Sequence, residues 1–266
     1  MMIDPLDEKD FLELSRQYGV PVRILKQDYA ALAALDLLSN TDLVKKLAFK
    51  GGTAIKRIFY PDARFSVDLD FIYLESVPLE DKEEWITDAV MKFFDTLRNS
   101  FEHQVSGSVL FKVVNEPVIS LKWGTITIDY DMPGLSFFVR VDIEFSEMPP
   151  PSHIQEQIKV DPYRGKPGKI NALPIEQILI DKIEALYDRT SPKDLWDISY
   201  LIDNGVEPRK PLREEVNIPQ KKLLMAIDII SDTDWLLLRD YIPHNLEFKS
   251  LNEIKRKVIE FIKQNW

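Results

Sequence analysis

Cysteine is missing from all 266 residues, which excludes disulfides and thiolate metal sites. Long apolar runs are missing too. No stretch approaches the roughly 18 residues of a membrane span, so no membrane partner is expected. The opening MMIDPLDEKDF is acidic and polar, unlike a secretory leader, and the expected location is the cytoplasm. Positive charge is in short supply: 34 Lys and Arg stand against 44 Asp and Glu, a net charge of -10. That balance argues against broad nucleic-acid binding but leaves room for a local basic groove. There is no GxxxxGK[ST] loop, no dinucleotide fingerprint, no internal repeat and no low-complexity segment. What remains is an ordinary globular composition, 45% hydrophobic and 29% charged, long enough for one or two domains.

Periodicity gives the order of elements. Helices are expected over 7–17, 26–39 and 41–47, then a short strand at Ala48-Phe49 entering a Gly51-Gly52 turn. Thr53 to Phe59 reads as a short helix stopped by Pro61. Ser66 to Tyr73 alternates as a strand, and a helix follows over 82–98. Residues 102–114, 118–130 and 137–145 read as antiparallel strands, parted by Asn115-Glu116-Pro117 and by Asp131-Met132-Pro133-Gly134. From Pro174 onward the pattern is helical. The fold class is thus α+β, a mixed sheet flanked by helices and followed by a helical domain. The expected divisions are 1–148 for the α/β domain, 149–173 for a connecting segment that starts at Pro149-Pro150-Pro151, and 174–266 for a helical domain contributing to a common cleft.

The chemistry concentrates in KGGTAIKRIFYPDARFSVDLDF, Lys50 to Phe71. Asp68 and Asp70 stand at i and i+2 on the expected strand and share a face with Ser66. Such a pair can hold a divalent cation. Gly51 and Gly52 permit close approach of a phosphate to a helix start, with the Thr53 hydroxyl as an added donor. The bland alternatives are acids on the wet face of a sheet and a plain strand-to-helix turn. Arg64 can neutralise a phosphate or pair with Asp62 or Asp68, and Ser66 can bond phosphate or ribose. A third carboxylate is offered by FFVRVDIEF, Phe137 to Phe145, where Arg140, Asp142 and Glu144 share the polar face. In the right register Asp142 lies beside Asp68 and Asp70, and three such charges call for Mg²⁺ or Mn²⁺.

A second cluster is LIDKIEALYDRTSPKDLWDISYLI, residues 179–202. Lys182 and Arg189 fall near one helix face. Ser191, Pro192 and Asp194 read as N-cap, first position and capping-box acid of the next helix. That leaves Asp197 as the functional acid and Lys182 as a ligand for a triphosphate; the bland alternative for Lys182 is a solvent-exposed helix lysine.

Together, GGTA-(x9)-R-x-S-x-D-L-D-F and D-K-I-E-A-L-x-D-R-(x3)-K-D-L-W-D-I resemble the AbiEii/AbiGii toxin family, nucleotidyltransferases of type IV toxin–antitoxin and phage abortive-infection systems. The resemblance spans roughly residues 35–205 and implies a polymerase-β-like nucleotidyltransferase fold. It implies Gly52 and Thr53 as the nucleotide-binding turn, Asp68 and Asp70 as the metal pair and Asp142 as the third strand acid. It also implies Lys182 as the family lysine and Asp194 and Asp197 as the KDLxD block. NTP is then the substrate, tRNA or another RNA the expected acceptor, and a cognate antitoxin acting without a stable complex the expected partner. The alternative reading is a catalytically silent nucleotide- or partner-binding protein on the same fold. An RNA path would draw on Lys50, Lys56, Arg57 and Arg64, on Arg164, Lys166 and Lys169, and on Lys182, Arg189 and Lys193.

Overall fold

The computed structural model describes residues 3–75, 88–120, 123–145, 152–166 and 168–266. Residues 82–87 of the expected helix 82–98, and Pro149-Pro150-Pro151, lie outside the described residues. The chain divides into two compact units. One takes Met1–Pro61 and Phe65–Leu173, and the other takes Pro174–Trp266 with the three residues Asp62–Arg64.

The first unit opens with α1 (Glu8–Tyr18). The Asp7 carboxylate accepts from the N–H groups of Lys9 and Asp10, and Asp10 accepts in return from the Asp7 N–H, so the first-turn donors are satisfied. Helix α2 (Val22–Ser39) is apolar on nearly all sides and buried along almost its whole length, as a helix enclosed by other elements must be. The expected helix 41–47 is a 3-10 turn over Asp42–Lys46. Strand β1 (Leu47–Lys50) then runs into α3 (Gly51–Ala54), which continues as a π-helical turn over Ile55–Phe59.

Strand β2 (Leu69–Tyr73) is shorter than the alternation predicts, and Ser66, Val67 and Asp68 precede it. The Asp68 carbonyl is taken by the Thr53 hydroxyl at 2.5 Å rather than by a neighbouring strand. Helix α4 (Asp88–Asn99) follows, then β3 (Val105–Ser106), β4 (Val109–Val114), β5 (Val118–Ile119), β6 (Trp123–Met132) and β7 (Leu135–Glu144). Segment 149–173, expected as a connection, instead contributes β8 (Ile154–Gln157) and β9 (Lys169–Ala172).

The nine strands among the described residues form one mixed sheet in the order β3-β4-β6-β7-β2-β1-β9-β8, with β5 also on β6. The run from β3 to β7 is antiparallel, as expected. Strand β7, however, meets β2 in parallel, because α4 and the intervening strands carry the chain back across the sheet before it returns. On β7, Val139, Val141 and Ile143 are buried, and α2 packs against this strand. The alternate residues Phe138, Arg140 and Glu144 are exposed, with Asp142 half-buried.

A buried ion pair ties α2 to the π turn. Arg57 and Asp28 are both fully buried and joined through Nη2 and Oδ2. Arg57 Nη1 also donates to the Asp161 carbonyl at 2.6 Å, and the Tyr163 hydroxyl lies 2.9 Å from Asp28 Oδ2. Lys56 is equally enclosed: its ammonium donates to the Pro61 carbonyl at 2.7 Å and sits 4.2 Å from the centre of the Phe65 ring. Neither cation decorates a surface helix, and neither is available to an RNA.

The second unit is helical: α5 (Ile175–Arg189), α6 (Pro192–Asp203), α7 (Leu212–Glu215), α8 (Gln220–Ile229), α9 (Asp232–Leu237) and α10 (Leu251–Asn265). Helix α6 packs on α5 and α10, and Trp196 lies against Phe248 and Trp235 with ring centres 5.8 Å apart in each case.

Removing one partner of a buried ion pair strands the other. Asp28→Ala is therefore expected to lower unfolding stability by about 3–5 kcal/mol, read from the urea midpoint.

Candidate active site

Four strands place one polar row across the sheet. Lys50 at the end of β1 is the cross-strand partner of Asp70 on β2, Asp70 is the partner of Asp142 on β7, and Asp142 is the partner of Thr125 on β6. The sequence-predicted acids Asp70 and Asp142 are thus side by side. Asp68, two residues before Asp70, is half-buried like them. Carboxylates directly opposed in a sheet repel one another. Cations and donors offset the repulsion here. Thr125 Oγ1 donates to Asp142 Oδ1 at 2.6 Å, Arg140 Nη2 contacts Asp142 Oδ2 at 2.6 Å, and Lys50 pairs with Glu144. Burial works against the Arg140 cation, but Asp142, then Asp68 and Asp70, outweigh it and raise its pKa. All three acids therefore act on one guanidinium.

The glycine turn is shaped around Asp70. Gly51 has φ +77°, a conformation that L side chains rarely adopt, and a Cβ there would come within 2.2 Å of Asp70 Oδ2. The carboxylate occupies space that any other residue would fill. Gly52 and Thr53 are buried in the first turn of the helix, whose N–H groups have no intrahelical partners. Thr53 was expected to offer its hydroxyl to a phosphate. It is fully buried and spends that hydroxyl on the Asp68 carbonyl, which fixes the backbone next to the acids. Ser66, expected beside them on the strand, lies before it and is nearly closed off from solvent.

The donor set at Asp68 and Asp70 suits a hard cation, since it offers oxygen ligands only. Among the described residues, no group of three or more His, Asp or Glu is drawn together into a finished metal cage. Asp142 has its two oxygens turned to Thr125 and Arg140 instead.

The second cluster is assembled within the helical unit. Arg64 forks onto Asp197, Nε to Oδ1 and Nη2 to Oδ2, both at 2.7 Å. Lys182 donates to Asp194 Oδ1 at 2.9 Å and lies 2.8 Å from Asp197 Oδ2. Arg189 forks onto Asp194 at 2.6 and 2.8 Å, so Lys182 and Arg189 do share a face as their spacing predicts. Arg64, Lys182, Asp194 and Asp197 are all at most 5% exposed.

This arrangement changes three expectations. Lys182 and Arg64, expected at a phosphate, are neutralised by Asp197 and Asp194. Asp194, expected as a capping-box acid, is not one: Ser191 caps the Lys193 N–H, and the Asp194 carboxylate serves Lys182 and Arg189. Asp197, expected as a functional acid apart from the cap, belongs to the same ionic cluster. What the sequence reading missed is Arg140 and Thr125. Both were visible as polar positions in alternating strands, but their meaning depends on register.

Burial alone would raise the Asp194 pKa, yet Lys182 and Arg189 bring it down to about 2 from 3.8. The folded form holds the proton less tightly than the unfolded chain does. The resulting stabilisation is complete above about pH 4 and is lost as pH falls toward 2, about 2 kcal/mol in all. Thermal unfolding followed across this window is expected to show that loss, and Asp194→Asn is expected to flatten the slope.

The comparisons with known proteins bear on the family and the fold. The family model described as nucleotidyl transferase AbiEii toxin, type IV TA system, matches residues 33–220. No curated protein matches the chain. Among solved structures, MenT4, nucleotidyltransferase toxin Rv2826c from Mycobacterium tuberculosis H37Rv, superposes with a TM-score of 0.61 at 16% identity, over 95% of this chain and 88% of that one. JHP933 from Helicobacter pylori does so with a TM-score of 0.58 at 17% identity, over 92% of each chain. At these identities the superpositions speak for the fold, whereas the family match covers more than half of the sequence. No helix among the described residues is long and apolar enough to cross a membrane. A mixed sheet that sets paired acids beside a glycine turn, in a chain that matches the family over that region, identifies this protein as a member of the AbiEii family of nucleotidyltransferase toxins of type IV toxin–antitoxin systems.

Proposed function

We propose that this enzyme transfers a nucleotide from an NTP to an acceptor hydroxyl, with pyrophosphate as the leaving group. The observation that carries the reading is the direct register of Asp70 with Asp142, beside a glycine whose missing Cβ leaves room for Asp70. Asp68 and Asp70 would hold Mg²⁺ or Mn²⁺, with Asp142 completing the set. Such an ion supplies charge neutralisation at the transferring phosphate and a template for the displacement. The turn at Gly51-Gly52 directs first-turn N–H groups at a phosphate. Asp142 accepts the proton of the acceptor hydroxyl as that oxygen bonds to the α-phosphorus and the bond to the pyrophosphate breaks. Thr125 holds the Asp142 carboxylate in the orientation this requires.

The acceptor we favour is an RNA 3′ end such as that of tRNA, in the cytoplasm, with an antitoxin that opposes the product rather than forming a stable complex. Lys166 and Lys169 are exposed in the first unit and remain candidates for an RNA path, whereas Lys56, Arg57 and Arg64 do not.

Incubation with Mg²⁺, each labelled NTP and total tRNA is expected to give label in RNA. Asp68→Ala/Asp70→Ala is expected to abolish it, and incorporation that survives in the double variant refutes the assignment. Gly51→Ala disturbs the turn and the acid together. The left-handed backbone alone costs about 1–2 kcal/mol, and the added Cβ meets Asp70 Oδ2, Cγ and Cβ, so Asp70 must shift. Transfer is expected to fall by about a hundredfold because the acid is displaced.

A further inference from the structure

Arg140 has no role in the reading above, yet it lies directly on one of the three acids. It projects from β7 on the same face as Asp142, two residues away, and its guanidinium contacts Asp142 Oδ2 at 2.6 Å. Asp68 and Asp70 also lie within its electrostatic reach. Its side chain is 48% exposed, so it is not locked in place as Arg57 is. The second Asp142 oxygen is held by Thr125. Asp142 thus has one oxygen on Thr125 and the other on Arg140.

We propose that Arg140 is a displaceable counter-ion that occupies the cation's place at Asp142 until metal and nucleotide arrive, and then transfers its charge to the triphosphate. The inference rests on the metal-site reading of Asp68 and Asp70. Its physical basis is competition. A guanidinium and a divalent ion cannot both neutralise one carboxylate oxygen, so each weakens the other's hold. Once released, a half-exposed arginine on the polar face beside the acids can present its planar guanidinium fork to phosphate oxygens. Lys50, the other cation of the row, is paired with Glu144. Arg140 therefore restrains metal binding in the nucleotide-free enzyme and supports nucleotide binding in the loaded one.

These two effects have opposite signs, which a merely structural arginine does not produce. Mn²⁺ binding is titrated by electron paramagnetic resonance on the wild type, Arg140→Gln, Arg140→Lys and Asp70→Asn. Binding of a non-hydrolysable NTP analogue in the presence of Mg²⁺ is measured on the same proteins. Arg140→Gln is expected to bind Mn²⁺ about tenfold more tightly and the analogue about tenfold more weakly, the scale of one charge-assisted contact. Arg140→Lys, which keeps the charge and loses the fork, is expected to fall between. Mn²⁺ affinity that is unchanged or lowered in Arg140→Gln, or analogue affinity that is unchanged, overturns the proposal. Arg140→Lys and the thermal midpoints guard against a folding defect. If Asp70→Asn takes up Mn²⁺ as the wild type does, the metal reading itself fails. If Asp70→Asn loses Mn²⁺ while Arg140→Gln keeps wild-type affinity, only the role of Arg140 falls.

Discussion

The mutual repulsion of acids held on neighbouring strands is the constraint around which the first unit is organised. The parallel pairing of β2 with β7 puts Asp70 against Asp142. Thr125 and Arg140 hold Asp142, and the missing side chain of Gly51 leaves the space that the Asp70 carboxylate fills. Each feature is explained by the acids, and none is required by the sheet alone. A sheet face with this charge pattern favours a cation, which is the physical argument behind the metal-assisted transfer proposed above.

The helical unit meets the same difficulty by the opposite means. Its cluster sets Arg64, Lys182 and Arg189 on the carboxylates of Asp194 and Asp197 and is mostly withdrawn from water. Buried ionic groups of this kind hold a specific geometry at little net gain in stability, while loss of one member is costly. The two charge clusters are therefore chemically distinct. One is half-open, while the other has its acids buried and bound to cations of its own unit.

Much of the fold could be read from period alone. The helices of the second unit, the β6–β7 hairpin at Pro133-Gly134 and the helix entered at Gly51 all follow local rules. The strand direction at β2–β7 did not, because parallel pairing is set by a long return of the chain rather than by neighbouring residues. Strands β8 and β9 were hidden within a proline-rich stretch that looks like a linker. In the site, the acids were legible because alternation assigns them a face. The fate of each cation was not: Lys56, Arg57, Arg64 and Lys182 look alike in sequence, and only burial and partners distinguish them. Thr53 was recognised as important for a donor role toward phosphate, whereas its bond goes to the Asp68 carbonyl.

The most direct measurement is anomalous diffraction from crystals of the enzyme with Mn²⁺ and a non-hydrolysable NTP. The account predicts a Mn²⁺ peak about 2.1 Å from carboxylate oxygens of Asp68 and Asp70, with the triphosphate against the Gly51-Gly52 turn. A bound triphosphate whose metal lies away from both aspartates would contradict it.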